Sequence, residues 1–297
     1  MAIFRRPGRS RQPEPAPEQV AEELADLVEQ LERPAPGVEG GPAGQLAEYR
    51  AERDKRRATA LLGSVSRRLG SGGLAAAKGA AYGGRALADQ LMQAAPRIPV
   101  RSLTTLRAQH PDAADPERLA DLLVSGASRA SGALGAGVGA AAMLPVPPAM
   151  ALEIAAETLA VAAVEIKLIA ELHEVYGLAA QGTATQRASA YVAAWANRRG
   201  IDATLLVKPA GFAAMALGSE VRQQVRKRLT RSTLRRLPSL IPLLVGAGIG
   251  ATVNRRDTRK LAKEVREDLR HRRSTTDRAY WAAAAPPLRG ERGEPRP

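Results

Sequence analysis

The sequence predicts an all-α protein, a multi-helix bundle with Gly/Pro-broken apolar helices and a disordered N-terminal arm. Apolar residues recur at helical spacing along most of the chain, and no sustained apolar/polar alternation predicts a strand. Aromatic residues make up only 3% of the 297 residues, while alanine and glycine abound. Because small side chains let helices approach closely, this composition favours packed helices.

Residues 1–45 are predicted to be a mostly disordered arm, since their Pro/Gly-rich polar segments bury too little apolar surface to offset the entropy of ordering. One short amphipathic helix is predicted inside the arm from apolar residues at helical spacing: Val20, Leu24, Leu27, Val28 and Leu31. We expect this helix to dock on its own domain or on a partner. Residues 46–285 form the predicted helical domain, and residues 286–297 a disordered tail.

The first half of the domain opens with a long predicted helix from Gln45 to near Gly70. An Ala/Gly-rich helix follows and should stop at Pro96 and Pro99, because proline cannot continue a helix. A connection with a short helix comes next. The helix after it has a clear start, since Asp115 can cap its first turn.

The clearest predicted helix runs from about Pro148 to Tyr176, with Gly177 as its stop. Its apolar residues cover most of the helical wheel, which is typical of a central core helix. Its charged residues fall on one side and are predicted to be a solvated face, although a carboxylate pair for acid/base chemistry is an alternative: Glu153, Glu157, Lys167, Glu171 and Glu174.

Three further segments complete the domain. A helix should begin at a Thr183 cap, with Tyr191 and Trp195 on one face. One or two helices are predicted between residues 203 and 236, and a basic amphipathic helix over residues 256–273 closes the domain.

Two long uncharged runs, Leu237–Asn254 and Ala130–Leu152, are rich in glycine and contain proline. The first would span roughly 27 Å as a straight helix at ~1.5 Å per residue, close to the ~30 Å hydrocarbon thickness of a bilayer. Basic segments at residues 220–236 and 255–273 flank it on both sides, and the positive-inside rule places both on the cytoplasmic side. A bent, re-entrant or surface-lying segment agrees with this better than a single crossing. The alternative is that both runs are buried inside a soluble bundle.

The membrane interpretation assigns two sets of residues. Apolar insertion is predicted for Leu240, Ile241, Leu243, Leu244, Val245, Ile249, Met143, Leu144 and Val146. Contact with anionic headgroups is predicted for Arg222, Arg226, Arg228, Arg235, Arg236, Arg255, Arg256 and Arg259.

Other kinds of site find little support in the sequence, so no catalytic, cofactor-binding or metal site is predicted. The glycine clusters at residues 132–139 and 246–250 lack the strand context of a nucleotide-binding loop, and close helix packing explains them better. His173 is predicted to be buried and hydrogen-bonded to a carboxylate such as Glu165; as a metal ligand it lacks a second ligand at helical spacing. The net charge of +14 suggests nucleic acid, but the basic segments contain no stacking aromatic residues, so that partner is unlikely.

Two motifs resemble the EcsC family. The helix "VEIKLIAELHEVYGL", with Ala170 to Gly177, approximates an Ala-x-x-Tyr-Gly ending, although its spacing departs from the family pattern. Downstream, Pro242, Gly246, Gly250 and Asn254 resemble in their order a Pro-x-x-Gly-x-x-Gly-x-x-Asn block that leads into a last helix, although three residues rather than two separate each pair. The segment "LPVPPAM" is similar to a proline turn before the central helix. The resemblance covers about residues 60–272. It implies a helical, membrane-associated bacterial protein and no catalytic residues.

We therefore expect an EcsC-like, non-enzymatic protein on the cytoplasmic side of a bacterial membrane, peripheral or re-entrant, or otherwise cytoplasmic. Its expected partners are an anionic membrane surface and, second, a membrane protein complex, with no cofactor and no small-molecule substrate. The alternative is a soluble helical scaffold whose basic face binds an acidic protein or nucleic acid.

Overall fold

A computed structural model of the chain describes residues 17–32, 43–71, 90–141, 147–200, 246–273 and 279–284. These ranges contain no strand. Residues 90–94 are helical and lead into a 3₁₀-helix at Ala95–Arg97. The α-helices are α1 (Pro17–Glu32), α2 (Ala43–Ser71), α3 (Leu103–Gln109), α4 (Pro116–Ala141), α5 (Pro147–Val175), α6 (Ala184–Arg198), α7 (Gly246–Arg272) and α8 (Ala279–Ala283).

Helices α4 and α7 pack against each other in antiparallel directions. Glu117 near the start of α4 pairs with Arg270 near the end of α7. Near the other end, Gly135 of α4 lies against Gly250 of α7. Later residues of α4 therefore contact earlier residues of α7, which shows that the two helices are antiparallel.

Helix α5 lies against both of these helices and occupies the centre of the bundle. Its residue Glu157 accepts a hydrogen bond from Asn254 of α7, and its residue Glu165 accepts one from Thr258. These contacts advance together along both chains, so α5 and α7 run parallel. The prediction of a central core helix is confirmed, since most residues of α5 from Leu159 onward are buried.

The α4–α7 contact is close because glycines meet there. A Cβ atom built on Gly135 would lie 2.6 Å from the carbonyl oxygen of Gly250, and one built on Gly250 would lie 2.7 Å from the carbonyl oxygen of Gly135. Only glycine leaves room for the two backbones at this separation. The interpretation of these glycines as helix-packing residues is confirmed.

A single apolar core joins the remaining helices to this group. The predicted helix of the arm is α1, whose apolar face packs against α2 and α5, so it docks on its own domain. The largest fully buried apolar side chains come from six helices and are Leu24, Leu27, Leu69, Leu106, Leu119, Leu134, Leu159, Leu168, Ile169, Leu172 and Leu269.

The predicted helix ends are present where the structure describes them. The Asp115 carboxylate accepts a hydrogen bond from the Arg118 backbone N–H over 2.8 Å. Thr183 forms a reciprocal capping box with Gln186 at the start of α6. Gly177, with φ at 64°, follows the end of α5 in the left-handed conformation that favours glycine.

Helix α4 continues through Gly126, Gly132 and Gly135 to Ala141, because at 132 and 135 the missing side chains allow packing against α7. One expectation needs correction. The uncharged run before Arg255 and the basic helix are not separate elements, since α7 begins at Gly246 and contains residues 246–254 of the run as well as the basic segment. The predicted disorder of residues 1–16, 33–42 and 286–297 and the helices predicted over 203–236 lie outside the described residues.

We predict that Gly135→Ala lowers the free energy of unfolding by about 1–3 kcal/mol, because the added methyl group would force the α4 and α7 backbones apart. Thermal unfolding followed by circular dichroism measures the change. Gly126→Ala is the matched control, since nothing lies within 4 Å of a Cβ built there. That variant should gain up to about 1 kcal/mol from the better helix propensity of alanine. Equal effects at both positions would contradict the close-packing explanation.

Candidate functional site

The exposed side of α7 is basic between residues 255 and 263. From residue 255 to residue 263, every exposed side chain carries a positive charge, and these five define the basic face: Arg255, Arg256, Arg259, Lys260 and Lys263. The opposite side of the same turns carries buried Thr258, Leu261 and Ala262. The amphipathic pattern predicted for this helix therefore matches the structure, in which the basic side faces solvent and the opposite side packs into the core.

Few carboxylates neutralise the basic face. Among the described residues, no carboxylate forms an ion pair with the four cations from Arg255 to Lys260. The Nζ atom of Lys263 lies 3.8 Å from Oε1 of Glu267, and both side chains are mostly exposed. Such surface pairs contribute little, so described carboxylates leave most of the positive charge of this face without an ion pair.

A buried carboxylate on α5 holds the middle of α7 in place. Glu165 is 1% exposed, and it accepts a hydrogen bond from the Thr258 hydroxyl over 2.9 Å. It also accepts hydrogen bonds from Nε1 of Trp195 over 2.9 Å and from Nε of Arg199 over 3.0 Å. A buried carboxylate is tolerated only when donors replace its lost water. Glu165 therefore fixes α5, α6 and α7 relative to one another.

The start of the basic face is held by a second buried polar contact. Nδ2 of Asn254 donates to Oε1 of Glu157 over 2.8 Å and to the carbonyl oxygen of Ser131 over 3.3 Å. Asn254 is 6% exposed. Its neighbour Arg255 has its side chain alongside Gly132 of α4, whose lack of a Cβ makes room for it.

The far end of α7 is held by Glu117 at the start of α4. Its carboxylate accepts hydrogen bonds from Arg270 Nε over 2.9 Å, from Arg266 Nη2 over 2.6 Å and from the Tyr176 hydroxyl over 2.8 Å. The hydrogen bond from Arg270, supported by those from Arg266 and Tyr176, lowers the pKa of Glu117 to about 2 even though partial burial raises it.

The prediction that the charged side of α5 is solvated is wrong for two of its five residues. Lys167 and Glu171 are 2% and 1% exposed. They pair with each other, and Glu171 also accepts hydrogen bonds from Arg101 Nε over 2.7 Å and Nη2 over 2.6 Å. Because Arg101 lies 70 residues away in the sequence, the helix of α5 alone gave no sign that this part of its charged side is covered.

The predicted partner of His173 is also wrong. Its Nδ1 atom lies 2.7 Å from the carbonyl oxygen of Ile169 on the same helix, and its ring meets Tyr191 edge-on at 5.3 Å between centroids. Glu165 is occupied by residues of α6 and α7 instead. Burial lowers the pKa of His173.

The structure describes only part of the predicted membrane site. Arg255, Arg256 and Arg259 are exposed and share the basic face. Ile249 lies in the first turn of α7, and its side chain is outside the described set. The other predicted residues lie outside the described ranges: Arg222, Arg226, Arg228, Arg235, Arg236, Leu240, Ile241, Leu243, Leu244, Val245, Met143, Leu144 and Val146.

Sequence reasoning missed the residues that position this face, above all Thr258 and Glu117. A pattern in α7 points to the first of them, because small or polar residues recur every four positions: Gly246, Gly250, Asn254, Thr258 and Ala262. Residues four apart share a helix face. This ladder identifies the side of α7 that packs, and therefore which arginines remain exposed.

Within the described ranges, no three His, Asp or Glu side chains converge as metal ligands would. No described helix combines the length and apolar character needed to cross a bilayer. No protein-family model, curated protein or solved structure matches the chain. The EcsC resemblance therefore stays a prediction from the sequence.

We predict that Glu165→Leu destabilises the protein by about 3 kcal/mol or more, because it leaves the Trp195 indole and the Arg199 guanidinium without their buried acceptor. Urea unfolding followed by tryptophan fluorescence measures the loss. Glu153→Leu on the same helix is the control, since Glu153 is only half-buried. Equal stability of the two variants would show that Glu165 does not hold α6 and α7.

We predict that Glu117 contributes to acid unfolding. A carboxylate whose folded pKa is lowered to about 2 stabilises the fold above its ordinary pKa of 4.5, and that stabilisation is lost as pH falls towards 2. The difference in melting temperature between the wild type and Glu117→Gln should therefore be largest at neutral pH and shrink below pH 4.5.

The control for this pH series is Glu267→Gln, whose ion pair with Lys263 spans 3.8 Å between exposed side chains. Its melting curves should follow those of the wild type at every pH. A constant offset between wild type and Glu117→Gln across the acid range would contradict the assigned role.

Proposed function

We propose that this protein is an EcsC-like, non-enzymatic protein that associates with the anionic cytoplasmic surface of a bacterial membrane. The observation that carries the proposal is the basic face of α7, five exposed cations on a helix whose other side is packed into the bundle. A rigid row of cations suits a surface of anionic headgroups.

The helix ends that flank the two predicted apolar segments support the same proposal. Residues 142–146 adjoin the end of α4 and the start of α5 in the chain, and residues 237–245 adjoin the start of α7. The contacts of Gly135 with Gly250 and of Glu157 with Asn254 bring these three helix ends to one end of the bundle. The described residues that flank both segments therefore lie at one end of the bundle, which supports a shared insertion.

An exposed apolar side chain marks the same end. Ile154 is 54% exposed and lies one turn before Glu157, the residue that contacts Asn254. The other exposed large apolar side chains among the described residues are Tyr49 and Val100. An apolar residue facing water next to the predicted insertion segments fits contact with lipid.

The number of cations gives the size of the electrostatic contribution to membrane binding. Each basic side chain near an anionic membrane contributes ~1 kcal/mol, so the basic face supplies on the order of 5 kcal/mol. Because this attraction falls off within a Debye length of ~8–10 Å, added salt should weaken it. Apolar insertion would leave a component that salt does not remove.

We predict that the triple substitution of Arg255, Arg256 and Lys260 by serine reduces co-sedimentation with phosphatidylglycerol vesicles by at least about tenfold. Three lost contacts of ~1 kcal/mol each amount to about two powers of ten in affinity. The control is the triple substitution of Arg67, Arg97 and Arg187, exposed arginines on other elements that remove the same net charge.

If the α7 triple variant bound the vesicles as well as the control triple variant does, the proposal would be contradicted. So would a wild-type protein that stays in solution with phosphatidylglycerol vesicles and instead binds an acidic protein or nucleic acid through this face, which would favour the soluble scaffold. A circular dichroism melt of each variant separates loss of binding from loss of folding.

A further inference from the structure

A small groove lies between α4 and α7, beside the basic face. Its volume is about 110 Å³. Its apolar lining comes from Val124 and Ala262, and its other lining residues are four cations, Arg259, Lys263, Arg266 and Arg270. None of the residues that line it is acidic.

The two inner arginines are held in place by α4 carboxylates. Arg266 donates from Nη2 to Glu117 over 2.6 Å, from Nη1 to Asp121 over 2.6 Å and from Nε to the Tyr176 hydroxyl over 3.2 Å. Arg270 donates from Nε and Nη2 to Glu117. Side chains already fixed in this way lose little further conformational entropy when an anion binds.

The groove retains positive charge and free donors. Two carboxylates, Glu117 and Asp121, pair with its four cations, which leaves an excess of two charges, reduced only weakly by the 3.8 Å contact of Lys263 with Glu267. The Nη1 group of Arg270 and the whole guanidinium of Arg259 have no hydrogen-bond partner among the described residues.

We infer that this groove binds the phosphoryl group of a phosphomonoester. Such a group carries nearly two negative charges at neutral pH and three terminal oxygens, which match the excess charge and the cationic donors that line the groove. The groove is smaller than the roughly 300 Å³ at which pockets for larger ligands begin, so it takes the charged head of a ligand and leaves the remainder outside. As a site for a soluble phosphomonoester it stands apart from the proposed function, and as a site for a lipid headgroup it rests on that function.

The first test uses soluble probes and isothermal titration calorimetry. Glycerol 3-phosphate should bind at least about tenfold more tightly than dimethyl phosphate, a diester with one charge. Arg259→Ser combined with Lys263→Ser should weaken glycerol 3-phosphate binding at least about tenfold, because it removes two of the four cations that line the groove. Arg255→Ser combined with Arg256→Ser removes the same charge outside the groove and should change binding less than about threefold.

The second test identifies the source of the phosphoryl group. Phosphatidylcholine vesicles carry either phosphatidic acid, a monoester, or phosphatidylglycerol, a diester, at matched surface charge. A preference for phosphatidic acid that disappears in the Arg259/Lys263 variant assigns a lipid ligand. Soluble binding without that vesicle preference assigns a free phosphomonoester.

The inference is overturned if wild type shows neither soluble binding nor a phosphatidic acid preference, or if the two double variants lose binding equally. Failure of the proposed function gives a different result, because the protein would then not bind phosphatidylglycerol vesicles while its binding of glycerol 3-phosphate could persist. Melting temperatures close to wild type for both double variants confirm that only exposed side chains were changed.

Discussion

The close backbone contact between Gly135 and Gly250 is the constraint on which the rest of the described structure depends. It sets the distance between α4 and α7, because any side chain at either position would push the helices apart. At that distance Asn254 can reach both Ser131 of α4 and Glu157 of α5. Since a buried amide without partners is costly, these hydrogen bonds in turn specify which side of α7 faces inward.

Charged groups then fix the rotation and register of α7 along the rest of its length. Thr258 meets Glu165 in the interior, and Arg266 and Arg270 meet Glu117 nearer the surface. Apolar contacts are non-directional and would tolerate small rotations. A buried carboxylate with specific donors does not tolerate them, because a displaced donor leaves it uncompensated. Polar contacts thus give α7 a unique orientation, and the apolar core supplies the general attraction.

Sequence reasoning predicted the role of a residue where its contacts lie nearby in the chain, and failed where those contacts come from distant parts of the chain. The capping residues Asp115 and Thr183 act within a few residues of themselves, so their roles could be read directly. The burial of Glu171 depends on Arg101, 70 residues away, and Glu165 meets Thr258 across 93 residues. No periodicity within one helix reports such pairings. The basic face was partly predictable for a local reason, because alternating packed and exposed positions lie within α7 itself.

The basic face is unfavourable for α7 in isolation, and this supports a role in binding. Three pairs of its cations, Arg255 with Arg259, Arg259 with Lys263, and Arg256 with Lys260, stand four residues apart and repel each other. Each such pair destabilises a helix by ~0.2–0.5 kcal/mol. The described fold offsets this repulsion only through the weak pair of Lys263 with Glu267. The anionic surface proposed as the partner would relieve the repulsion and add attraction at the same residues, which agrees with the proposed binding.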